Sequence, residues 1–284
     1  MNTIRKILVA GASGMLGTDL VSVLGERYEV VGVDQAEGDL SNPDVAEKMI
    51  AGINPDLIVN AAAYTNVDDC QNKQGYAKAL RANVILPTNL ASTAQAMDIP
   101  FVHFSTDYVF SGEKGDPYVE TDRPMPLSAY GKSKLIADLV IQRVCWKHLI
   151  LRSSWLFGKN GVNFVEKILQ KAEKNELLTV VDDQIGCPTS TLELARGTRA
   201  AIEKNLLGIY NIACRDSVSW HGFAKKICEI AGHQLQVQPI TTPALNLPAK
   251  RPANSSLNCT RFIRDTGHKP ATWQDALTEY IKKR

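Results

Sequence analysis

The sequence predicts an α/β fold: a doubly wound parallel sheet followed by a smaller C-terminal domain. Three observations carry this. Short apolar runs alternate with amphipathic helical stretches through the first half of the chain. The runs are apolar at successive positions rather than at every second one, as strands buried on both faces are. A glycine-rich turn, GASGMLG at residues 11–17, joins the first run to the first helical stretch. Strand and helix in that alternation give parallel strands with helices on both sides, and the glycine turn makes the sheet one of the Rossmann type.

KILVAGA is the first strand, YEVVGVD the second, DLIVNAAA the third, FVHFSTD the fourth and HLILRSSW the fifth. One long helical pattern, from about Tyr76 to Met97, leads into the fourth. Beyond Trp155 the pattern loosens into a helix near 163–174, a strand LLTVVDD, a helix near 191–204, a strand GIYNIA and a helix near 219–231. PITTPALNLPAKRPANSS is rich in proline and poor in periodicity, and reads as an ordered loop or covering segment. Residues 1–158 are thus expected to form a dinucleotide-binding domain to which 188–214 return, and residues 159–284 mainly a substrate-binding domain.

With 284 residues, 44% of them hydrophobic and 22% charged, the chain has the balance of a globular protein with a sizeable core. The net charge of +2 is spread without a basic block, which gives no footing for nucleic acid. No apolar run approaches the ~20 residues that span a bilayer, and MNTIRKILVAGASG has no apolar leader or cleavage site, so the expected location is the cytoplasm. Six scattered cysteines, Cys70, Cys145, Cys187, Cys214, Cys228 and Cys259, show neither a CxxC nor a Cys–His cluster, so reduced thiols rather than metal ligands are expected.

The glycine turn has a physical reading. Gly11, Gly14 and Gly17 let the backbone approach a pyrophosphate, which rests on the N-terminus of a helix opened by Met15 and Leu16. The spacing is GxxGxxG, and no Gly-Lys-Ser/Thr follows, which excludes a P-loop. The second strand ends in Asp34, where a carboxylate binds the adenosine ribose hydroxyls and repels a 2′-phosphate. DQAEGDL holds no arginine to offset it. NADH is the simpler fit, with NADPH left open. Asp39 and Leu40, and Ala62, Ala63 and Tyr64 of NAAAY, end the next loop and strand at the same sheet edge, where small side chains admit a flat adenine or a ribose.

SAYGKSK places Tyr130 and Lys134 four residues apart on one face of a helix. A free tyrosine has a pKa of about 10, and a neighbouring ammonium makes its proton more available. Thr106, at the end of the fourth strand, is placed to hydrogen-bond a substrate carbonyl oxygen beside that phenol.

From here the chain resembles the dTDP-4-dehydrorhamnose reductase family, within the extended short-chain dehydrogenase/reductases. The resemblance runs from about Lys6 to Ile281 and rests on GASGMLG, NAAAYTNVD, STDYVFSG, YGKSK, LRSSWLFG, DDQIGCPT and KRPANSSL. It implies Thr106, Tyr130 and Lys134 as the catalytic group, with Tyr130 and Lys134 also facing the cofactor. It implies Asp107 and Trp155 against the sugar, and Lys250 and Arg251 over the nucleotide end. The reaction implied is reduction of the C4 keto group of a nucleotide-linked deoxysugar by NADH or NADPH. A homodimer is compatible with it, and neither nucleic acid nor membrane is an expected partner.

By the same resemblance alone, magnesium enters as a bridge between subunits, through carboxylates on the first helix and on later ones. Here the first helix offers Asp19, and Glu193 falls one residue late, a rotation of about 100° on a helix. No metal is expected to be needed for catalysis. Two rival chemistries fit less well: a dehydratase needs an acid after Thr106-Asp107, where Tyr108 stands, and an epimerase usually shows a serine-rich strand end followed by VYG. A non-catalytic regulatory subunit of the same fold would tend to lose the tyrosine or the lysine, and this chain keeps both.

Overall fold

The computed structural model describes residues 3–284. Strand β1 (Lys6–Ala10) leads through the glycine turn into α1 (Met15–Gly25), then β2 (Glu29–Val33), α2 (Pro43–Ile53) and β3 (Leu57–Asn60). Next come α3 (Lys73–Leu80) and α4 (Leu86–Ala96), then β4 (Phe101–Thr106), α5 (Ala129–Val144) and β5 (His148–Ser153). The later part holds β6 (Leu156–Phe157), α6 (Phe164–Glu173), β7 (Leu178–Val181), β8 (Ile185–Gly186), β9 (Thr189–Ser190), α7 (Thr191–Glu203) and β10 (Gly208–Asn211). It ends with β11 (Val218–Ser219), α8 (Trp220–Ile230), β12 (Val237–Ile240), α9 (Thr242–Leu245), α10 (Thr260–Thr266) and α11 (Trp273–Lys282).

Six strands pair in parallel in the order β10-β5-β4-β3-β1-β2. The chain runs outward from β1 to β2 on one side and from β3 to β10 on the other, so the topological switch lies between β1 and β3. Their alternate side chains feed two cores. Ile7 and Val9 pack with α1 and α7 through Leu20, Leu24, Leu194 and Ile202. Leu8 and Ala10 pack with α2, α4 and α5 through Ile50, Leu90 and Ile141. This is why the strands read as unbroken apolar runs.

A separate core joins α6, β7, α8, β12 and α11 around Phe157, Leu169, Phe223 and Leu277. A smaller one, with Val109, Phe110, Tyr118, Cys187 and Leu257, lies between the strand-β4 exit and the late segments. β10, far along the chain, completes the main sheet by pairing with β5.

One expectation gains a detail and another needs correction. The long helical stretch expected from about Tyr76 to Met97 is helical without a gap as far as Ala96, with a π-helical turn, Arg81–Ile85, between α3 and α4. Pro87 in the first turn of α4 lacks an N–H to donate, and the wider turn accommodates it. The proline-rich stretch is also not loop throughout: β12 pairs with β7, Pro239 included, and Thr242–Leu245 forms a helical turn. Pro239 sits in a two-stranded edge ladder, where a missing donor is tolerated.

Candidate active site

The carboxyl ends of the central strands meet at one edge, where such sheets hold ligands. Helix α1 begins there without a side-chain cap, because Gly14 occupies the cap position. Helices α2, α5, α7 and α8 are instead capped by Asn42, Ser128, Ser190 and Ser219. The first-turn amides of α1, including those of Met15, Leu16 and Gly17, are thus left for an anion at the positive end of the helix. The turn has no room for side chains: a Cβ on Gly11, at φ 79°, would lie 2.6 Å from the Ala62 nitrogen, and one on Gly17 would lie 1.9 Å from the Gly11 oxygen. Such a cradle fits the pyrophosphate of a dinucleotide.

Asp34 braces its rim. Its carboxylate accepts the Ser13 N–H at 2.9 Å, and its own N–H donates to Glu37 at 2.8 Å. Asp39 accepts the Ser41 hydroxyl at 2.6 Å and pairs with Arg81. A loop without an arginine of its own therefore receives one from the π turn. Leu40 is buried, and its carbonyl is held by Asn89 at 3.1 Å. Across the cradle lie Ala62, half-buried, and Ala63, exposed. Tyr64 donates its hydroxyl to Asp69, which pushes the phenol up to about 12.

Thr106 ends β4 with its hydroxyl donating to Asp107 Oδ1 at 3.0 Å and accepting the Tyr108 N–H at 3.2 Å. The Tyr130 phenol is buried, and Thr106 is the group that favours its ionised form. Burial raises that phenol above its ordinary value, and the contact with Thr106 opposes the rise. Ser128 caps α5 through the Gly131 N–H at 3.1 Å. This sets Tyr130 in the first turn and Lys134 one turn on. Gly131 lets the helix meet the β4 exit, since a Cβ there would lie 2.3 Å from the Tyr108 oxygen.

Lys134 is buried. Its Nζ donates to the Phe104 carbonyl at 2.6 Å and lies 3.1 Å from His103 Nε2. Burial pulls its pKa down to about 8, against the opposing charge of Asp138. Asp107 is buried as well and is pushed up to about 7 by burial, although hydroxyl donors from Ser255, at 2.5 Å, and Thr106 favour its ionised form.

The remaining sequence-predicted residues divide. Trp155, in the left-handed region at φ 47°, stacks on Trp220 with centroids 3.6 Å apart, so one indole face is covered. Arg251 reaches back to Asp68 in the β3 exit loop through contacts of 2.7 and 3.1 Å, while Lys250 beside it is exposed. An open cleft of about 280 Å³ lies next to these groups, with Tyr108, Phe164, Lys167, Lys171, Trp220 and Arg251 on its walls.

The sequence reading did not single out Ser255, Asp68, His103 or Asp138. Ser255 and Asp68 fall within KRPANSSL and NAAAYTNVD, but only the fold brings them to Asp107 and Arg251. Asp138 had a signal, since it falls four residues after Lys134 on α5. His103 had another, since it alternates with Ser105 along β4, and Ser105 donates to Asp138 at 2.9 Å.

The carboxylates considered for magnesium are otherwise engaged. Asp19 accepts the Thr191 hydroxyl at 2.5 Å. Glu193 faces His268 Nε2 at 3.0 Å and Arg196 at 3.4 Å. Glu279 takes both ends of the Arg196 guanidinium, at 3.0 and 3.2 Å, and Lys283 at 2.7 Å. Arg196 is the shared counter-ion of Glu193 and Glu279, and no group of three metal-ligating side chains forms among the described residues. No helix among the described residues is long and apolar enough to cross a membrane.

Comparison with known proteins adds to this geometry. The sequence profile of the RmlD substrate binding domain matches residues 5–284. A dTDP-4-dehydrorhamnose reductase from Aggregatibacter actinomycetemcomitans is 38% identical, covering 96% of this chain and 97% of its own. The crystal structure of a dTDP-4-dehydrorhamnose reductase from Clostridium acetobutylicum superposes with a TM-score of 0.94 at 36% identity, over 98% of this chain and 99% of the other. One from Bacillus anthracis, in complex with NADP, gives 0.95 at 31% identity, over 99% and 100%.

Proposed function

The chain belongs to the family of the RmlD substrate binding domain, and on that premise we propose that it reduces the C4 keto group of dTDP-4-dehydro-L-rhamnose to give dTDP-L-rhamnose, with NADH or NADPH as reductant. What supports this reading is that Thr106 ends β4, that α5 carries Tyr130 one turn before Lys134, whose Nζ reaches the Phe104 carbonyl of β4, and that α1 starts uncapped at the same sheet edge. When bound, the reduced nicotinamide supplies a hydride to C4.

The chain's own residues do the rest. The turn at Gly11–Gly17 receives the pyrophosphate, and Asp34 the adenosine ribose. Tyr130 donates its phenolic proton to the sugar oxygen as negative charge develops there. Its burial keeps the proton in place until then. Thr106 and the Lys134 ammonium, present below about pH 8, favour the phenolate left behind. Lys167, Lys171 and Arg251 on the wall of the cleft suit a diphosphate, and the aromatic walls suit a base. Thr106 and Asp107 orient the sugar, and the late segment around Ser255 fixes Asp107 in turn. Six free thiols, five of them buried, agree with a reducing cytoplasm as the place of work.

The test is turnover of each reductant with dTDP-4-dehydro-L-rhamnose and with UDP- and GDP-linked 4-keto sugars. We expect the dTDP sugar to be consumed at the highest kcat/KM. We expect NADH and NADPH to lie within tenfold of each other, because Asp34 is set against a 2′-phosphate while a relative at 31% identity holds NADP. Turnover confined to another nucleotide sugar would move the activity to a sister substrate, and no oxidation with any of them would reject it.

A further inference from the structure

His103 is a fully buried titratable group that the reaction above does not use. It projects from β4 toward α5, between Asn60 and Lys134. Its Nδ1 lies 3.1 Å from the Asn60 side-chain nitrogen, and its Nε2 lies 3.1 Å from Lys134 Nζ. Asn60 is fixed in turn, because its side-chain oxygen accepts the Ala62 N–H at 3.1 Å. A continuous chain of contacts thus runs from the wall of the glycine cradle to the lysine behind Tyr130.

The hydrogens in this chain can be counted. A neutral imidazole offers one N–H and one bare nitrogen, and an ammonium offers only donors. The oxygen end of Asn60 is taken by Ala62, so the amide hydrogens face Nδ1, which must be the bare nitrogen. Nε2 then carries the hydrogen and points at Lys134 Nζ. Only an uncharged amine has a lone pair to accept it. A doubly protonated imidazole is no alternative, because burial holds His103 well below its ordinary value. The other groups around Lys134 are Asp138, one turn along α5, Arg152 of β5, which pairs with Asp138 at 3.4 Å, and Tyr130, one turn back.

We propose that His103 is the positioning residue of Lys134: its Nε2–H favours the bare amine of the lysine in the cofactor-free enzyme, and the amine takes up a proton from solvent when the site is filled. The step is RNH₂ + H⁺ → RNH₃⁺, with Nζ turning from His103 toward the incoming hydroxyls. The second half rests on the cofactor reading given above, and the first half does not. Lys134 titrates near 8, which agrees with an amine easily emptied of its proton.

The test is NMR titration of the lysine Cε groups in the cofactor-free protein, with the Lys134 signal assigned by its absence in Lys134→Met. In the parent it should titrate at or below about 8. In His103→Gln the new side-chain oxygen can accept from an ammonium, so the midpoint should rise by about one unit, with Tm close to the parent's. A parent midpoint above about 10, as for a lysine in water, would overturn the proposal, as would an unchanged midpoint in His103→Gln. A purely structural histidine would move Tm and leave the lysine midpoint alone. Calorimetry of NADH binding at pH 9, in two buffers of different ionisation enthalpy, then reads proton uptake. Uptake of roughly one proton is expected where the amine is mostly bare, and binding without uptake would contradict the second half. Absence of binding would count against the cofactor reading while the NMR result stood.

Discussion

Among the individual residues, Asp107 carries the clearest consequence for pH. Its carboxyl titrates near 7 because burial outweighs the two hydroxyls that donate to it. An unfolded aspartate titrates near 4, so the native state holds the proton more tightly. The stability this group contributes is full below about pH 4 and is lost as the pH rises through 7. Asp107→Asn keeps an oxygen for Thr106 or Ser255 and removes the titration. Thermal melts should show the variant gaining on the parent by about 5 °C between pH 5 and pH 8, whereas a constant gap would show that Asp107 is not the group responsible. Tyr130, Lys134 and Thr106 were legible in the sequence because their chemistry depends on local spacing or on a strand end. Ser255, Asp68 and His103 were not, because each acts on a partner brought to it by the fold: Ser255 on Asp107, Asp68 on Arg251, His103 on Lys134.

The strand–glycine turn–helix unit is the element on which cofactor binding depends. Gly17 sits inside α1 with no room for even one methyl group, since its Cβ would fall on the Gly11 carbonyl oxygen. Gly17→Ala should therefore push α1 off the turn, with dinucleotide affinity falling at least tenfold and Tm falling as well. Gly25→Ala, where a Cβ meets nothing within 4 Å, is the matched control and should leave affinity unchanged. Equal affinity in the parent and Gly17→Ala, read by fluorescence titration with NADH, would contradict the role given to the cradle. β1, β3, β4 and β5 were legible because burial on both faces writes them as continuous apolar runs, and β2, half-exposed at the sheet edge, because its valines still form one. The π turn at Arg81–Ile85 was not, because Pro87 is also a favoured first-turn residue. β12 was hidden for a similar reason, since Pro239 argues against a strand unless the ladder is short and at an edge.

For the molecule as a whole, the late chain returns twice: β10 completes the main sheet, and the segment around Ser255 closes over the β4 exit. A second core gathers α6, α8 and α11 beside the open cleft. The sequence expects residues 188–214 to return, and β10 lies within that span; the closure by the segment around Ser255 is a long-range choice that a local pattern does not record. Arg196 ties α7 to α11 through Glu279, and Asp19 of α1 accepts the Thr191 hydroxyl of α7. Exhaustive EDTA treatment and buffer exchange should therefore leave kcat/KM within twofold, and a loss of most activity restored by magnesium would refute this account of the ion pairs. The central claim is that hydride goes to C4 while Tyr130 supplies the proton. The most direct measurement is NMR of the sugar formed from dTDP-4-dehydro-L-rhamnose with deuterium-labelled NADH or NADPH, for the parent and for Tyr130→Phe. Deuterium is expected at C4 of L-rhamnose for the parent, and for the variant the same label formed at least about a hundredfold more slowly, with cofactor affinity nearly unchanged. Deuterium at another carbon, or a Tyr130→Phe rate within threefold of the parent, would contradict it.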